Sequence, residues 1–192
     1  MASLKRIGIV GAGTMGAGIA EAALLRDVPV TVVDSSAEML ERTESGIREG
    51  LAKALERGRC SESTAASAGS RLSLSGDLAT LAPCDVVIEA ITERLEAKRQ
   101  LFEELTRICS APAVLATNTS SLCVSAIAAG APEPDRIVGM HFFNPVARMR
   151  LVEIVPGTET SPETLRRVRQ LSEALGKQAI VARDGIGFLV NR

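Results

Sequence analysis

Residues 9–20 read IVGAGTMGAGIA, and this stretch decides the predicted fold. Three of its four glycines, at positions 11, 13 and 16, form a G-x-G-x-x-G pattern. This G-x-G-x-x-G spacing is weak evidence by itself, because a turn can use glycine for packing alone. Here the spacing follows the apolar run 6–10 and opens a helical pattern over residues 14–26. A strand before the glycines and a helix after them are the context that a dinucleotide-binding turn requires.

Each glycine has its own physical reason in such a turn. Gly11 permits the tight turn, Gly13 lets the backbone approach a pyrophosphate, and Gly16 lets the helix lie close to the strand. The helix N-terminus adds free N–H groups and a partial positive charge. The next predicted strand ends at Asp34, whose carboxylate suits the ribose hydroxyls of NAD and repels the 2′-phosphate of NADP. The sequence therefore predicts NAD as the cofactor.

Short β-branched runs alternate with helical patterns along the rest of the chain. This alternation predicts an α/β fold of the Rossmann-like, doubly wound kind, with a largely parallel sheet and helices on both faces. The segment 61–70 is either a short helix or a loop. Helices are predicted at 14–26, 36–58, 93–108 and 162–175, and strands at 6–10, 28–34, 71–75, 85–90, 113–118, 136–142, 151–155 and 177–182.

The composition excludes several classes of function. A net charge of −1 gives no reason to expect nucleic acid or an anionic membrane as a partner, and 2% aromatic residues argue against a base-stacking surface. The four cysteines form no C-x-x-C pair and have one histidine to join them, so no metal site is expected. Scattered, reduced thiols fit a cytoplasmic location. Gly-rich spacing and Glu21 argue against a signal peptide or membrane helix at the N-terminus.

Six motifs occur in a fixed order along the chain: VGAGTMGAGIA, DVVIEAITERLEAKRQLF, LATNTSSL, GMHFFNPV, LVEIV and GFLVNR. Together they resemble the NAD-binding domain of L-3-hydroxyacyl-CoA dehydrogenases, including the short-chain 3-hydroxybutyryl-CoA dehydrogenases. The resemblance covers essentially the whole chain. It implies an oxidoreductase of fatty acid metabolism and β-oxidation, which passes a hydride between NAD and C3 of a 3-hydroxyacyl-CoA to give the 3-ketoacyl-CoA.

The resemblance also implies the catalytic residues. His141 is the expected general base, since imidazole titrates near neutrality, and Glu153 is expected to bind its other ring nitrogen and fix the tautomer. Ser120 and Asn191 match positions that bind the substrate oxygen, and Asn144 matches a position near the histidine and the nicotinamide. Simpler interpretations stay open: Glu153 as an outward strand carboxylate, Ser120 in a capped turn, and Asn144 as a turn initiator.

Eleven residues are expected to contact the cofactor. Glu93 and Lys98 match positions near its ribose and nicotinamide end, although helix-surface charge is the commoner meaning of such residues. The cations Arg48, Lys53, Arg57 and Arg59 lie where family members bind the CoA phosphates, or they form a solvated helix face. The full cofactor set is Gly11, Gly13, Thr14, Met15, Gly16, Asp34, Glu93, Lys98, Asn118, Ser120 and Asn144.

The chain departs from the family pattern at three places. Ile186 stands where members commonly have proline, and ARMRL follows FNPV where a second proline is common. The family continues into a helical domain that dimerises and closes over substrate. We therefore expect residues 1–184 to form the NAD-binding domain and 185–192 to begin the linker to a C-terminal domain absent from this chain. A homodimer is expected only with that domain.

Two alternatives to the expected activity stay open. The first is a related NAD-dependent dehydrogenase of a sugar acid or another free hydroxy acid. The second is a dinucleotide-binding module without turnover of its own, and this 192-residue chain is itself expected to bind NAD but to turn over poorly. A serine hydrolase is disfavoured because no G-x-S-x-G motif occurs.

Overall fold

The computed structural model describes residues 6–185 and 187–189. Eight strands and six α-helices follow one another along these residues. The strands are β1 (Ile7–Val10), β2 (Val30–Val33), β3 (Leu72–Ser75), β4 (Val86–Glu89), β5 (Val114–Thr117), β6 (Ile137–Phe142), β7 (Leu151–Pro156) and β8 (Gln178–Val181). The helices are α1 (Thr14–Leu24), α2 (Ala37–Glu56), α3 (Glu62–Arg71), α4 (Leu95–Ile108), α5 (Val124–Ala128) and α6 (Pro162–Ala174), with one-turn 3-10 helices at Leu78–Leu81 and Pro134–Arg136.

Local capping decides where several of these helices begin. The hydroxyl of Ser36 accepts a hydrogen bond from the Met39 N–H at 3.3 Å and starts α2. Ser61 accepts a hydrogen bond from the Thr64 N–H at 3.1 Å in the same way. The segment 61–70, which the sequence predicted as either a short helix or a loop, is therefore a helix, α3. Ser and Thr oxygens at this position satisfy N–H groups that have no partner within the helix.

The strands form one sheet in the order β3-β2-β1-β4-β5-β6-β7-β8. All neighbours pair in parallel except β6 and β7, which are antiparallel. The chain moves outward from β1 toward β3 and then, from β4, toward the opposite edge. This reversal leaves a crevice at the carboxyl ends of β1 and β4, where doubly wound sheets bind their ligands. The predicted Rossmann-like fold is confirmed.

Alternate residues of the central strands enter two separate cores. On one face, Ile9 belongs to a core that also holds Ile19 of α1 and Leu171 of α6. On the other face, Val10 packs with Phe102 of α4 and belongs to the core that also holds residues of α5. Because strand side chains alternate between faces, the four-residue strands β1, β2, β4 and β5 are buried along their whole length, as a sheet covered on both sides requires.

No helix of the described residues is long and apolar enough to cross a membrane. Within the same residues, no group of three or more His, Cys, Asp or Glu side chains is placed to hold a metal ion. All four cysteines are free thiols. Burial, with a smaller contribution from the neighbouring Cys109, raises the pKa of Cys84 to about 12, so this thiol stays protonated at neutral pH.

Candidate active site

The glycine-rich turn leaves the end of β1 and enters α1 with little room for side chains. Gly11 has φ +106°, and a Cβ there would lie 2.6 Å from the carbonyl oxygen of Ala90. A Cβ on Gly16 would lie 1.8 Å from the carbonyl oxygen of Gly11. Both glycines are therefore required for the close packing of strand, turn and helix.

Gly13 differs from its two neighbours because a Cβ there would meet no protein atom within 4 Å. It is the N-cap residue of α1, and the Ala17 N–H is bonded to its carbonyl at 2.9 Å. The backbone N–H groups of the first helical turn, which includes the exposed Thr14, have no partner within the helix. This open space at a helix N-terminus fits a pyrophosphate, so the turn suits the dinucleotide that the sequence predicts.

Asp34 follows β2 and is fixed beside this turn. One of its carboxylate oxygens accepts a hydrogen bond from the Ala12 N–H at 2.8 Å, and the other accepts one from the Ser36 N–H at 2.9 Å. The hydroxyl of Thr43 on α2 donates to the Ala12 carbonyl at 2.6 Å. The negative charge next to the turn is thus held in place, where it favours ribose hydroxyls over a phosphate.

His141 and Glu153 lie directly opposite each other across the antiparallel β6–β7 pair. The Nδ1 of His141 is 2.6 Å from an oxygen of Glu153. Both residues are buried, with 4% and 0% of their surface exposed. The second oxygen of Glu153 accepts a hydrogen bond from the Leu189 N–H at 2.9 Å. Glu153 is thus a partner of the histidine rather than an outward strand residue.

Aromatic rings surround the imidazole of His141. Its centroid lies 4.6 Å from the ring of Phe143 and 5.7 Å from the ring of Phe188. Asn118, at the end of the neighbouring strand β5, accepts a hydrogen bond from the Phe142 N–H at 2.9 Å. The ring therefore has a fixed orientation in apolar surroundings, with its Nδ1 directed at Glu153.

Glu93 connects the loops that follow β4 and β5. One of its oxygens accepts hydrogen bonds from the Thr119 hydroxyl at 2.5 Å and from the Ser120 and Ser121 N–H groups at 2.8 and 3.1 Å. Burial alone would raise the pKa of Glu93. These hydrogen bonds and the charge of Lys98 outweigh it and hold the pKa below its usual range. The carboxylate thereby positions the backbone at Ser120, which is exposed.

Lys98 belongs to a buried ion triad that the sequence did not reveal. Its ammonium group is 1% exposed and lies 2.5 Å from Glu89 and 3.3 Å from Glu93. Glu89 is fully buried and also accepts hydrogen bonds from the Ile91 N–H and the Thr117 hydroxyl. The ammonium group of Lys98 is therefore paired with Glu93 and Glu89 and is not exposed to a ligand. The sequence offered one signal that Glu89 is a buried, paired carboxylate: it is the acidic residue at the end of the otherwise apolar strand VVIE.

The other predicted residues occupy different settings. Asn144 is exposed just after β6, and Met15 packs against the apolar core. Asn191 lies outside the described residues. Of the cations on or just beyond α2, Arg48 pairs with Glu44 and Lys53 with Glu49 along the helix surface, while Arg57 and Arg59 follow the helix.

Fold and site together define a class: a Rossmann domain with a dinucleotide-binding turn at the sheet's switch point and a buried His–Glu pair at the carboxyl end of β6. The family model of the 3-hydroxyacyl-CoA dehydrogenase NAD-binding domain matches residues 6–185. The chain belongs to this family, as the sequence motifs predicted, and NAD is confirmed as the cofactor.

Individual relatives agree with the family. The chain is 41% identical to the 3-hydroxyadipyl-CoA dehydrogenase of Escherichia coli over 192 residues, all of this chain and 40% of that protein. It is 41% identical to a probable 3-hydroxybutyryl-CoA dehydrogenase of Bacillus subtilis, covering 98% of this chain and 66% of the relative. The crystal structure of (S)-3-hydroxybutyryl-CoA dehydrogenase from Ralstonia eutropha superposes with a TM-score of 0.94 at 38% identity, over 99% of this chain and 67% of that one. The chain thus spans between two fifths and two thirds of these relatives.

Proposed function

We propose that this chain is the cofactor-binding and proton-transferring part of an NAD-dependent 3-hydroxyacyl-CoA dehydrogenase. The observation that carries the proposal is the 2.6 Å contact between buried His141 and buried Glu153, in the same domain as a turn suited to NAD. The glycine-rich turn and Asp34 would hold NAD, which would supply the hydride acceptor for oxidation at C3 of the hydroxyacyl group and, in reduced form, the hydride donor for the reverse reaction. The protein's own residues must then handle the hydroxyl proton and the developing charge on oxygen.

The His–Glu pair suits the proton transfer. A carboxylate only accepts hydrogen bonds, so Glu153 requires the proton on Nδ1 of His141 and leaves Nε2 as the basic nitrogen. When Nε2 takes the hydroxyl proton, the resulting imidazolium is stabilised by the adjacent negative charge. In the reverse direction the same nitrogen returns the proton. The apolar surroundings formed by Phe143 and Phe188 strengthen this electrostatic effect.

Three polar residues are proposed to complete the substrate site. Ser120, fixed through the Glu93 carboxylate, supplies a hydroxyl to the substrate oxygen, and Asn191 supplies an amide to the same atom. Asn144 lies three residues after the histidine and supports the nicotinamide and the substrate. Each lost donor is expected to lower the rate by about tenfold to a thousandfold. A cytoplasmic location and a homodimer remain predictions.

We further propose that these 192 residues by themselves convert substrate slowly. The chain spans 40% of one relative and 67% of another. The test therefore uses enzyme in excess over substrate. Acetoacetyl-CoA and NADH are mixed with the protein, and NADH absorbance is followed for the wild type, His141→Ala and Glu153→Gln. We expect a loss of about a hundredfold to ten-thousandfold for His141→Ala. The Glu153→Gln rate should fall by about a hundredfold or more, because a glutamine amide can donate to Nδ1 and favour the wrong tautomer.

Binding of NAD, measured by calorimetry, is the matched control and should be unchanged in both variants, since neither residue belongs to the glycine-rich turn. Free acetoacetate replaces the CoA ester in a second series and tests a free hydroxy acid as the substrate class. Near-normal conversion by His141→Ala would contradict the proposed role of the histidine. Faster conversion of the free acid than of the CoA ester would contradict the proposed substrate.

A further inference from the structure

The chain after β8 passes the candidate active site and contacts both members of the His–Glu pair. Phe188 is 1% exposed, and its ring lies 5.7 Å from the imidazole of His141 at an interplanar angle of 61°. The Leu189 N–H donates a hydrogen bond to Glu153 at 2.9 Å, although Leu189 as a whole is 51% exposed. Leu189 thus contributes a backbone N–H to a buried site. We call this part of the chain the 184–189 segment.

The two oxygens of the Glu153 carboxylate have different partners. Oε2 lies 2.6 Å from Nδ1 of His141, and Oε1 accepts the hydrogen bond from the Leu189 N–H. The terminal torsion of a glutamate side chain has broad preferences, so one contact alone leaves the plane of the carboxylate free to rotate. A second contact, on the other oxygen, restricts this rotation. The Leu189 N–H therefore keeps Oε2 directed at the imidazole.

The backbone just before this N–H has a conformation that bulky residues rarely adopt. Phe188 has φ +51°, in the left-handed region, and such conformations persist where the surrounding structure holds them in place. Here the Phe188 N–H donates to the Gly185 carbonyl at 3.2 Å, and the residue belongs to a buried cluster with Val124 and Val155. Surrounding contacts thus hold a strained conformation immediately before the N–H that meets the glutamate.

Contacts that do not involve the His–Glu pair fix the start of the 184–189 segment. The Asp184 carboxylate accepts hydrogen bonds from the Val124 N–H at 2.7 Å and from the N–H and hydroxyl of Ser125 at 2.8 and 2.6 Å. Just before it, the Ala182 N–H donates to the Ile154 carbonyl of β7 at 2.9 Å. The segment is therefore tied to α5 and to β7 by bonds that are separate from its hydrogen bond to the glutamate.

We propose that the Leu189 backbone N–H positions the His–Glu pair for proton transfer. By fixing the plane of the Glu153 carboxylate, it holds the imidazole of His141 in the orientation that leaves Nε2 for the substrate. Leu189 acts through Glu153 and is therefore a positioning residue. The inference rests on the proposed dehydrogenase function and adds to it a group that belongs to the backbone, outside both β6 and β7.

The first test compares Leu189→Pro with Leu189→Ala. Both variants lose the leucine side chain, but only proline also removes the N–H. Conversion of acetoacetyl-CoA by NADH is followed with enzyme in excess, at a series of enzyme concentrations. We expect the maximal rate of Leu189→Pro to be about tenfold to a hundredfold below that of Leu189→Ala, because misplacing a reacting group by about 1 Å can cost about a hundredfold. Equal maximal rates would overturn the proposal.

Binding should not follow the rate in this comparison. The enzyme concentration at half-maximal rate, and the affinity for NAD measured by calorimetry, should be the same in Leu189→Pro and Leu189→Ala. The reason is that the hydrogen bond acts on the proton-transferring pair and not on the glycine-rich turn. If NAD affinity fell in the same proportion as the rate, the N–H would only support the fold, and the positioning role would fail.

A second change isolates the hydrogen bond, because proline also restricts the backbone of the residue before it. The amide between residues 188 and 189 is replaced by an ester, through incorporation of the α-hydroxy analogue of leucine at position 189. This protein keeps every side chain and exchanges only the N–H for an oxygen. Its maximal rate should fall by about tenfold or more relative to the wild type, with unchanged NAD affinity. A wild-type rate would overturn the proposal, whatever the proline variant does.

His141→Ala and Glu153→Gln, measured in the same assay, report on the proposed function itself. Near-normal rates in these two variants would remove the proposed function and this inference with it. Lowered rates in these variants, together with a wild-type rate in the ester protein, would remove only the positioning role of Leu189. Lowered rates in all three, with NAD affinity retained, are the result that we expect.

Discussion

The glycines at positions 11, 13 and 16 share one motif but have different neighbours. Gly11 and Gly16 face backbone carbonyl oxygens at distances that no Cβ can tolerate, whereas Gly13 faces open space. The spacing with its flanking strand and helix predicted the tight turn at Gly11 and the close helix packing at Gly16. The approach of a pyrophosphate to Gly13 stays a prediction. The motif could not show that the packing of the fold requires glycine at positions 11 and 16, whereas at position 13 only a bound ligand would require it.

This difference predicts that Gly13→Ala and Gly16→Ala separate binding from folding. With φ −75°, Gly13 accepts alanine, so the variant should lose less than about 1 kcal/mol of stability. Its methyl group should weaken NAD binding by about tenfold or more, because bonds to the charged pyrophosphate contribute about 1.5–3 kcal/mol each. Gly16→Ala should lose about 1–3 kcal/mol or more, as an overpacked contact. Urea unfolding and NAD calorimetry check both; equal losses of stability would contradict the assignment.

The ion triad of Glu89, Lys98 and Glu93 marks the limit of prediction at the residue scale. Resemblance placed Lys98 and Glu93 near a cofactor, but it gave no sign that Lys98 is buried between two carboxylates. An isolated lysine on a helical pattern is usually solvent-exposed, and only the packing of α4 on β4 brings its ammonium to Glu89. By contrast, the family resemblance predicted His141 and Glu153 as a pair. The residues by themselves predicted only that each of the two lies in a buried strand.

Helix α5 shows why short elements escape sequence reasoning. It has five residues, too few for an apolar period to be recognised, and its N-cap Cys123 makes no side-chain cap. The cap comes instead from Asp184, distant in sequence, whose carboxylate accepts hydrogen bonds from the Val124 N–H at 2.7 Å and the Ser125 N–H at 2.8 Å. Longer helices with a serine cap, such as α2 and α6, were predicted nearly to their ends.

The Asp184 cap predicts a pH-dependent contribution to stability. Burial alone would raise its pKa, but hydrogen bonds from Ser125, Cys123 and two backbone N–H groups outweigh it and hold the pKa below 3.8. Because the pKa of Asp184 is lower in the folded than in the unfolded chain, the ionised cap contributes its full stability at pH values above the unfolded-state pKa. This stability is lost as the pH falls through the folded-state pKa. Asp184→Asn should therefore cost about 1 kcal/mol at neutral pH, and the cost should shrink below pH 3.8.

Urea unfolding of the wild type and Asp184→Asn at a series of pH values measures this effect. Glu41→Gln is the control, because Glu41 is an exposed carboxylate on α2 without a hydrogen bond or ion pair among the described residues. A difference between wild type and Asp184→Asn that stays constant through the acidic range would show that the cap does not depend on charge.

At the scale of the whole molecule, the strand order determines which residues meet. Alternation of strands and helices predicted the doubly wound sheet, and the turn after β1 predicted the switch point, because a Gly-rich turn there is tied to that topology. That Arg26 and Arg150 line one cavity could not be predicted, since these residues lie far apart in sequence and only the folded chain brings them together. The sequence analysis placed Arg59 either near the CoA phosphates or on a solvated helix face, and it had no means to relate Arg59 to Arg26 and Arg150.

The assembled cofactor crevice leads to a final prediction, that NAD stabilises the folded chain and NADP does not. A ligand that binds only the folded state stabilises it by about 2.7 kcal/mol at a hundred times its Kd. For a chain of this size, that free energy corresponds to a rise in Tm of about 5–10 °C. Asp34 is fixed by the Ala12 and Ser36 N–H groups, so it cannot readily turn away from a 2′-phosphate.

Thermal unfolding with each cofactor at the same concentration makes this comparison without altering Asp34, whose substitution would also remove two backbone contacts of the turn. Gly13→Ala serves as the control, because it keeps the fold but blocks the pyrophosphate, and NAD should raise its Tm much less. If NADP raised the Tm of the wild type as much as NAD does, the carboxylate would not select the cofactor. If NAD stabilised Gly13→Ala and the wild type equally, the cofactor would lie elsewhere than over the glycine-rich turn.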